Sequence, residues 1–324
     1  MKNILQTIGL TIVLPLCLSL NAQNPIFYQF NGNPVYSNPA FTGLAHVGKI
    51  NKARFTANYN GGFSGVLFPQ RILHLSYDQN VDQLGGIGAQ LIRDGNGVIT
   101  RTEIVGNYGE QVRLTDDIML SGGVQLGFNM VSLDPSNLKW GSQINPTQGF
   151  GSGSGSDSNM VTNISYFNAS AGVLLASNNW LFGFSAFNIN QPNKSFYRNQ
   201  KAKAYVHFSG LLGYQFKTSE HISITPTFQM HVQSNFQTYL IGGLLNINQF
   251  QLSAQYQDYV DVFTNSARLN VGAGYQYKSV RLIYNISRYL DGNIPMDSQH
   301  ELGLRWLWGS TGDGNHNKDI LSLF

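Results

Sequence analysis

Apolar and polar residues alternate along most of this chain with a period of two. Between Ile118 and Met130, one face carries Ile118, Leu120, Val124, Leu126, Phe128 and Met130. The other carries Ser121, Gly123, Gln125, Gly127 and Asn129. Ser266–Tyr277 repeats the pattern, with Ala267, Leu269, Val271, Ala273, Tyr275 and Tyr277 opposite Arg268, Asn270, Gly272, Gly274 and Gln276. Ala204–Phe216 does so again, with Val206, Phe208, Leu212, Tyr214 and Phe216 opposite Tyr205, His207, Ser209, Gly213 and Gln215. Such runs outlast the usual strand of about 5–6 residues and suit a tilted membrane strand of at least ~9–11. The alternation predicts fourteen strands, starting near residues 50, 71, 84, 100, 117, 161, 180, 203, 220, 235, 249, 264, 279 and 299.

The connections alternate too. Val81–Gln83, Leu114–Asp116, Ser177–Asn179, Lys217–Ser219 and turns near Asn248 and Lys278 are short. Asn60–Gln70, Asp94–Ile99, Val131–Met160, Asn190–Ala202, Val232–Ser234, Tyr259–Phe263 and Tyr289–Ser298 are mostly longer. An even strand count, short periplasmic turns and long surface loops describe an outer-membrane β-barrel, and residues 50–308 are assigned to it. The loop Val131–Met160 holds Trp140 and a Gly/Ser tract, Gly149–Ser158, the composition of flexible coil.

One stretch breaks the pattern. Asn24–Gly48 contains three Asn-Pro dipeptides, at Asn24-Pro25, Asn33-Pro34 and Asn38-Pro39. The residue before proline is pushed out of the helical region, so neither a long helix nor a central strand fits. Yet Ile26, Phe27, Tyr28, Phe30, Val35, Tyr36 and Phe41 need cover from water. Residues 23–49 are therefore expected to be an ordered, kinked segment filling the lumen as a plug, or folding beneath the barrel as a platform.

Composition agrees with the membrane reading. Of 324 residues, 11% are charged, under half the ~25% usual in soluble proteins. The chain holds 35 Gly, 20 Phe and 16 Tyr, and its mean hydropathy of -0.15 argues against membrane helices. The net charge of +3 is too weak to suggest nucleic acid. Residues 1–22 read as a secretory signal peptide: Lys2, then an apolar run Ile8–Leu20, then Ala22 at the cut. The single cysteine, Cys17, lies in that leader, and Leu16 before it argues against lipidation. The mature chain thus offers no thiol chemistry, and its scattered histidines show no metal-ligand spacing. No Ser/His/Asp spacing singles out a triad, so the reading is not an enzyme, without cofactor or metal.

Lumen charges form one constellation. The alternation puts Arg268, Arg281, Arg305 and Glu301 on the inner face of the last three strands, with Lys52 and Arg54 on the first, which closes against them. A charge facing lipid at mid-depth costs about 2–4 kcal/mol, which fixes the inward assignment. These groups are candidates to hold the plug, with an ordinary solvated lumen as the alternative.

The opening segment also resembles the PorP/SprF family of type IX secretion and gliding outer-membrane proteins of Bacteroidetes. Its motif stands here as Tyr28-Gln29-Phe30-Asn31, Asn33-Pro34 and Asn38-Pro39-Ala40-Phe41-Thr42-Gly43. Weaker similarities follow in order: Tyr77-Asp78, Gly85-Gly86-Ile87-Gly88, Asp94-Gly95 and His300-Glu301-Leu302-Gly303-Leu304. One departure is the tail. Such barrels usually end on a strand-terminal aromatic, here Trp306 or Trp308, but residues 309–324 continue. The resemblance implies binding of the C-terminal sorting domain of a secreted adhesin or other exported protein, and contact with other secretion components. Candidate rim residues are Val66, Leu67, Phe68, Trp140, Phe196, Tyr197, Tyr259 and Phe263, with a lipid-boundary girdle as the alternative for each. A porin-like or apolar-solute channel, or a purely structural link to a periplasmic complex, remains open at this point.

Overall fold

The computed structural model describes residues 27, 31–47, 50–51, 53–62, 70–81, 83–137, 144–145, 149–150, 160–260, 267–290, 298–308 and 320–323. Fourteen antiparallel strands close into a barrel. They are β1 (Ala53–Gly62), β2 (Arg71–Val81), β3 (Gly85–Gly95), β4 (Ile99–Arg113), β5 (Met119–Leu133), β6 (Asn163–Ala176) and β7 (Trp180–Phe187). The second half is β8 (His207–Tyr214), β9 (Ile222–Gln233), β10 (Phe236–Ile247), β11 (Phe250–Val260), β12 (Arg268–Tyr277), β13 (Val280–Tyr289) and β14 (Ser298–Trp308). Each strand pairs with the next, and β14 returns to β1 from Trp308↔Ala53 to Gln299↔Gly62. Closure leaves no free outer strand, which is what lets a sheet cross a membrane at all.

Alternation along each strand separates two environments. On β5, Ser121, Gln125 and Asn129 are buried while Leu120, Val124, Leu126 and Met130 are exposed. On β12, Arg268 and Asn270 are buried while Leu269, Val271, Tyr275 and Tyr277 are exposed. Polar side chains thus fill the interior and apolar ones cover the outside, the reverse of a water-soluble barrel. The stacked pair Trp306 and Trp308, ring centroids 4.9 Å apart, marks the last strand's end. Two-residue turns at 234–235, 248–249 and 278–279 use Ser234, Asn248 and Lys278 at positive φ, the geometry that matches the twist of a hairpin.

Two details differ from the alternation reading. The strand expected from residue 203 to 216 is ordered only over β8, because its ladder breaks at Gln215, whose buried side chain donates inward to Ser223. A two-residue strand, Phe216–Lys217, then pairs with β9 separately. At the other end, Ala204 is buried and Tyr205 exposed, so the residues before His207 are out of phase with the strand. The connections at 114–118 and 215–221 are accordingly longer than the turns read from the sequence.

Inside the barrel, a four-residue helix α1 (Pro34–Ser37) is followed by a 3-10 turn at Pro39–Phe41. Both begin with proline, whose missing N–H costs nothing in the first turn. Asn38 joins them: its backbone N–H bonds to the Pro34 carbonyl, and its Oδ1 accepts from Ala40 N at 2.9 Å. Among the described residues after 308, a 3-10 turn, Ile320–Leu323, lies against the 177–179 turn through Ile320 N to Asn178 O at 3.2 Å.

Leu126 sits at the centre of β5 with 69% of its surface exposed. Leu126→Arg should lower the folding free energy into lipid vesicles by about 2–4 kcal/mol, read from urea titrations of the folded electrophoretic band.

Candidate functional site

The site is the lumen between the strand wall and residues 31–45. All of these are buried except Tyr36 and Ser37, which are half-buried. Their partners lie right around the ring. Asn31 Nδ2 donates to Gln251 Oε1 on β11 at 2.9 Å. Asn33 Oδ1 accepts from Asn58 on β1 and lies 3.0 Å from His74 Nδ1 on β2. The far ring nitrogen of His74 meets Gln90 at 2.8 Å, and Gln90 in turn donates to Asn107 at 3.0 Å. Asn38 Nδ2 donates to the carbonyls of Val173 and Phe184, and Ser121 Oγ donates to the Ala40 carbonyl at 2.7 Å. A segment bonded to opposite walls is inside the barrel.

The tightest grip is an ion pair. Arg54 Nε and Nη2 each donate to an Asp78 carboxylate oxygen at 2.9 Å, and both side chains are almost wholly removed from solvent. Arg54 Nη2 also donates to the Phe41 carbonyl at 2.9 Å, and Asp78 Oδ2 accepts from Gly43 N at 2.8 Å. A buried pair repays its desolvation only when the remaining donors and acceptors are used, and here the segment's backbone uses them. Gly43, at φ +76, lies against Gly86 so closely that neither tolerates a side chain. Side chains at Gly123 or Gly172 would likewise strike Pro39 or Asn38. The wall glycines form the seat for the segment's backbone.

Apolar packing finishes the contact. Val35, Ala40, Phe41 and Leu44 meet Leu174, Ala176, Leu181, Leu211 and Leu244 of the wall, together with Ile320 of the tail. Toward the long-loop end, Phe27 packs with Ile72, Ile92 and Val105, and its ring meets Tyr36 edge-on at 4.9 Å. Burial raises the Tyr36 phenol above its ordinary pKa, so it stays protonated and neutral against its neighbours.

The predicted residues fall into three groups. Asn33, Pro34, Asn38, Pro39, Ala40 and Gly43 all lie in the buried segment, and Arg54 bonds to it. Arg268, Arg281, Arg305 and Glu301 are buried on the inner face. Arg281 donates to Gln276 through Nε at 2.9 Å and Nη2 at 2.6 Å, and stands opposite Arg305 in the ladder. The guanidinium of Arg268 lies 3.7 Å from the Tyr289 ring centre and donates to Gln299 at 3.3 Å. Asn60 donates to Glu301 at 3.4 Å. Of the rim set, Tyr197 is exposed and Phe196 half-buried in the 188–206 connection. Tyr259 faces inward, where Gln257 donates to its hydroxyl at 2.6 Å. Lys52, Val66, Leu67, Phe68, Trp140 and Phe263 lie outside the described residues, as do the leader and most of the Gly/Ser tract. Sequence reasoning missed Asp78 and His74 as partners. Both share the inward parity of β2, so the charge rule applied to the arginines would have found Asp78.

Fold and lumen together define an outer-membrane β-barrel with its interior occupied by its own N-terminal segment. A family model for the type IX secretion system membrane protein PorP/SprF matches residues 19–306, and the chain belongs to that family. It is therefore an outer-membrane protein among the membrane components of that secretion system. No curated protein matches the chain. Among solved structures, the deltaS2S3 mutant of the TodX monoaromatic hydrocarbon channel is similar at TM-score 0.53 and 12% identity, over 84% of this chain and 93% of that one. The CymD monoaromatic hydrocarbon channel is similar at 0.51 and 9%, over 85% and 92%. The Pseudomonas putida toluene transporter TodX gives 0.50 and 12%, over 85% and 93%. At these identities the likeness is one of fold.

Asp78→Ala strands the Arg54 guanidinium in the lumen and frees the Gly43 N–H. It should cost about 3–5 kcal/mol in urea unfolding, with cleavage of residues 31–45 by added protease rising in parallel.

Proposed function

We propose that this chain is a plugged docking barrel that binds the C-terminal sorting domain of an exported protein, an adhesin or similar cargo, and helps present it at the cell surface. Binding, not catalysis, is its task. The observation that carries the reading is the filled lumen. Residues 31–45 bond to β1, β2, β5, β6, β7 and β11, and an apolar cluster with Ile320 packs the short-turn mouth. A barrel occupied in this way favours recognition at its rim over free diffusion through its centre. The strand ends that lead into the long connections 63–70, 134–162, 188–206, 261–267 and 290–297 lie at one end of the barrel, which the architecture puts outside the cell. Other secretion components would meet the opposite, short-turn face.

The channel reading draws on the fold likeness to the TodX and CymD monoaromatic hydrocarbon channels. The two readings separate in planar bilayers and in native membranes. The docking reading expects no stable open pore from the purified chain, and an exported protein's C-terminal domain retained with it in mild detergent. A steady open conductance with no such protein retained would overturn it.

A further inference from the structure

The wall steps down between β6 and β7. β6 runs on from its last pairing with β7, Ala171↔Ala186, to Asn163, while β7 ends at Phe187. The chain leaves the ladder at Asn188, which adopts the left-handed conformation at φ 56. Thr162 C=O accepts from Leu133 N, so the even-numbered residues of β6 direct their main-chain groups to β5. The odd-numbered ones point to the β7 side. Close to the step they are satisfied: Ala169 C=O accepts from Ile189 N at 2.9 Å, Ala169 N donates to Asn190 Oδ1 at 3.0 Å, and Asn190 Nδ2 donates to Phe167 C=O at 2.8 Å. The Asn190 carboxamide thus stands in for a peptide group of the missing neighbour strand. Farther out, Val161 N donates to Phe196 C=O at 2.8 Å. Between these two clamps, the N–H and C=O of Asn163 and Ser165 and the N–H of Phe167 have no partner among the described residues. Residues 163, 165 and 167 are all exposed, Phe167 to 68%.

We propose that this outer edge of β6, Asn163–Phe167, is a strand-addition site for an extended segment of the exported partner. It rests on the docking reading above and gives it a place. The gap between the clamps, about six residue rises of extended chain from Val161 to Phe167, spans about 20 Å, room for a short strand. A row of unpaired main-chain groups is a template for another chain, and the amide already seated at its inner end shows that the edge accepts peptide geometry. The edge lies at the long-loop end of β6, so the occupant comes from the cell exterior, as an exported protein does. Phe167 lies against Phe128 with ring centroids 4.9 Å apart and the planes tilted by 47°, leaving an aromatic surface beside the edge. The segment that fits therefore carries aromatic or β-branched residues on its outward face and polar ones on the other.

Ser165 supplies the test, because its N–H points to the open side and serves no bond to β5. Ser165→Pro removes that donor, Ser165→Lys blunts the edge, and Ser165→Thr leaves it intact. Each full-length chain is purified from native membranes in mild detergent. The retained exported protein is quantified against the folded electrophoretic band, which also reports barrel formation. Retention should fall by up to about tenfold in Ser165→Pro, the loss expected when one main-chain bond goes, fall in Ser165→Lys as its charge opposes strand pairing, and hold in Ser165→Thr. If Ser165→Pro does not fold, Ser165→Lys carries the test. Equal retention in all folded variants overturns the edge proposal while docking stands. Retention of no exported protein by the unaltered chain overturns both. Retention of a second copy of this chain, lost in Ser165→Pro, overturns the exported partner as occupant.

Discussion

The bond between Arg54 and Asp78 ties the two halves of this molecule together. The arginine belongs to the first strand and the aspartate to the second, so the pair alone would only staple neighbours. What extends it is the remaining bonding capacity of each group. One guanidinium nitrogen turns to the Phe41 carbonyl, and one carboxylate oxygen takes the Gly43 N–H. Charges this deeply buried are stable only when every donor and acceptor is used, so the pair and the segment each depend on the other. The wall glycines follow from the same requirement. A backbone that must approach Arg54 and Asp78 to hydrogen-bond distance must also approach Gly86 and Gly123, where any side chain would hold it off, and Gly172 leaves room for the Asn38 side chain.

The membrane sets the rest. Lipid outside and a polar interior invert the usual pattern of burial, and a chain with few charges and many aromatics meets that demand. Because closure is obligatory, the strands that fall short must be compensated locally. β7 does fall short of β6, and the Asn190 side chain repairs part of the ladder. The same wall that seals the barrel therefore leaves a stretch of edge at its exterior end. Filled lumen and open edge are the two observations on which the proposed docking role rests.

Much of this was legible in the sequence. The period-two runs set the strand count and, within a few residues, the strand positions, because a side chain facing lipid has so few alternatives. The inward placement of Arg54, Arg268, Arg281, Arg305 and Glu301 followed from the cost of a charge in lipid. The pairing of those charges did not, since which partner an inward group meets depends on register and on the path of a segment with no period. Asp78 carried the right parity but no mark of its role. The early end of β7 and the break at Gln215 were hidden because apolar and polar residues keep alternating past both points. The departure at Asn188 rests on a backbone conformation that asparagine tolerates and does not announce. Ile320 gave only its apolar character; its seat among Leu174, Leu181, Leu211 and Leu244 needed the closed barrel.

The central claim is that the N-terminal segment is held inside the barrel by its hydrogen bonds to the wall. Amide hydrogen exchange of the full-length protein in lipid tests it at the residues concerned. The N–H groups of Ala40 and Gly43, bonded to Asn38 Oδ1 and Asp78 Oδ2, should exchange on the slow timescale of the β2 and β5 strand amides. Exchange of both within seconds, as in an unprotected loop, while the strand amides stay protected, would contradict the account.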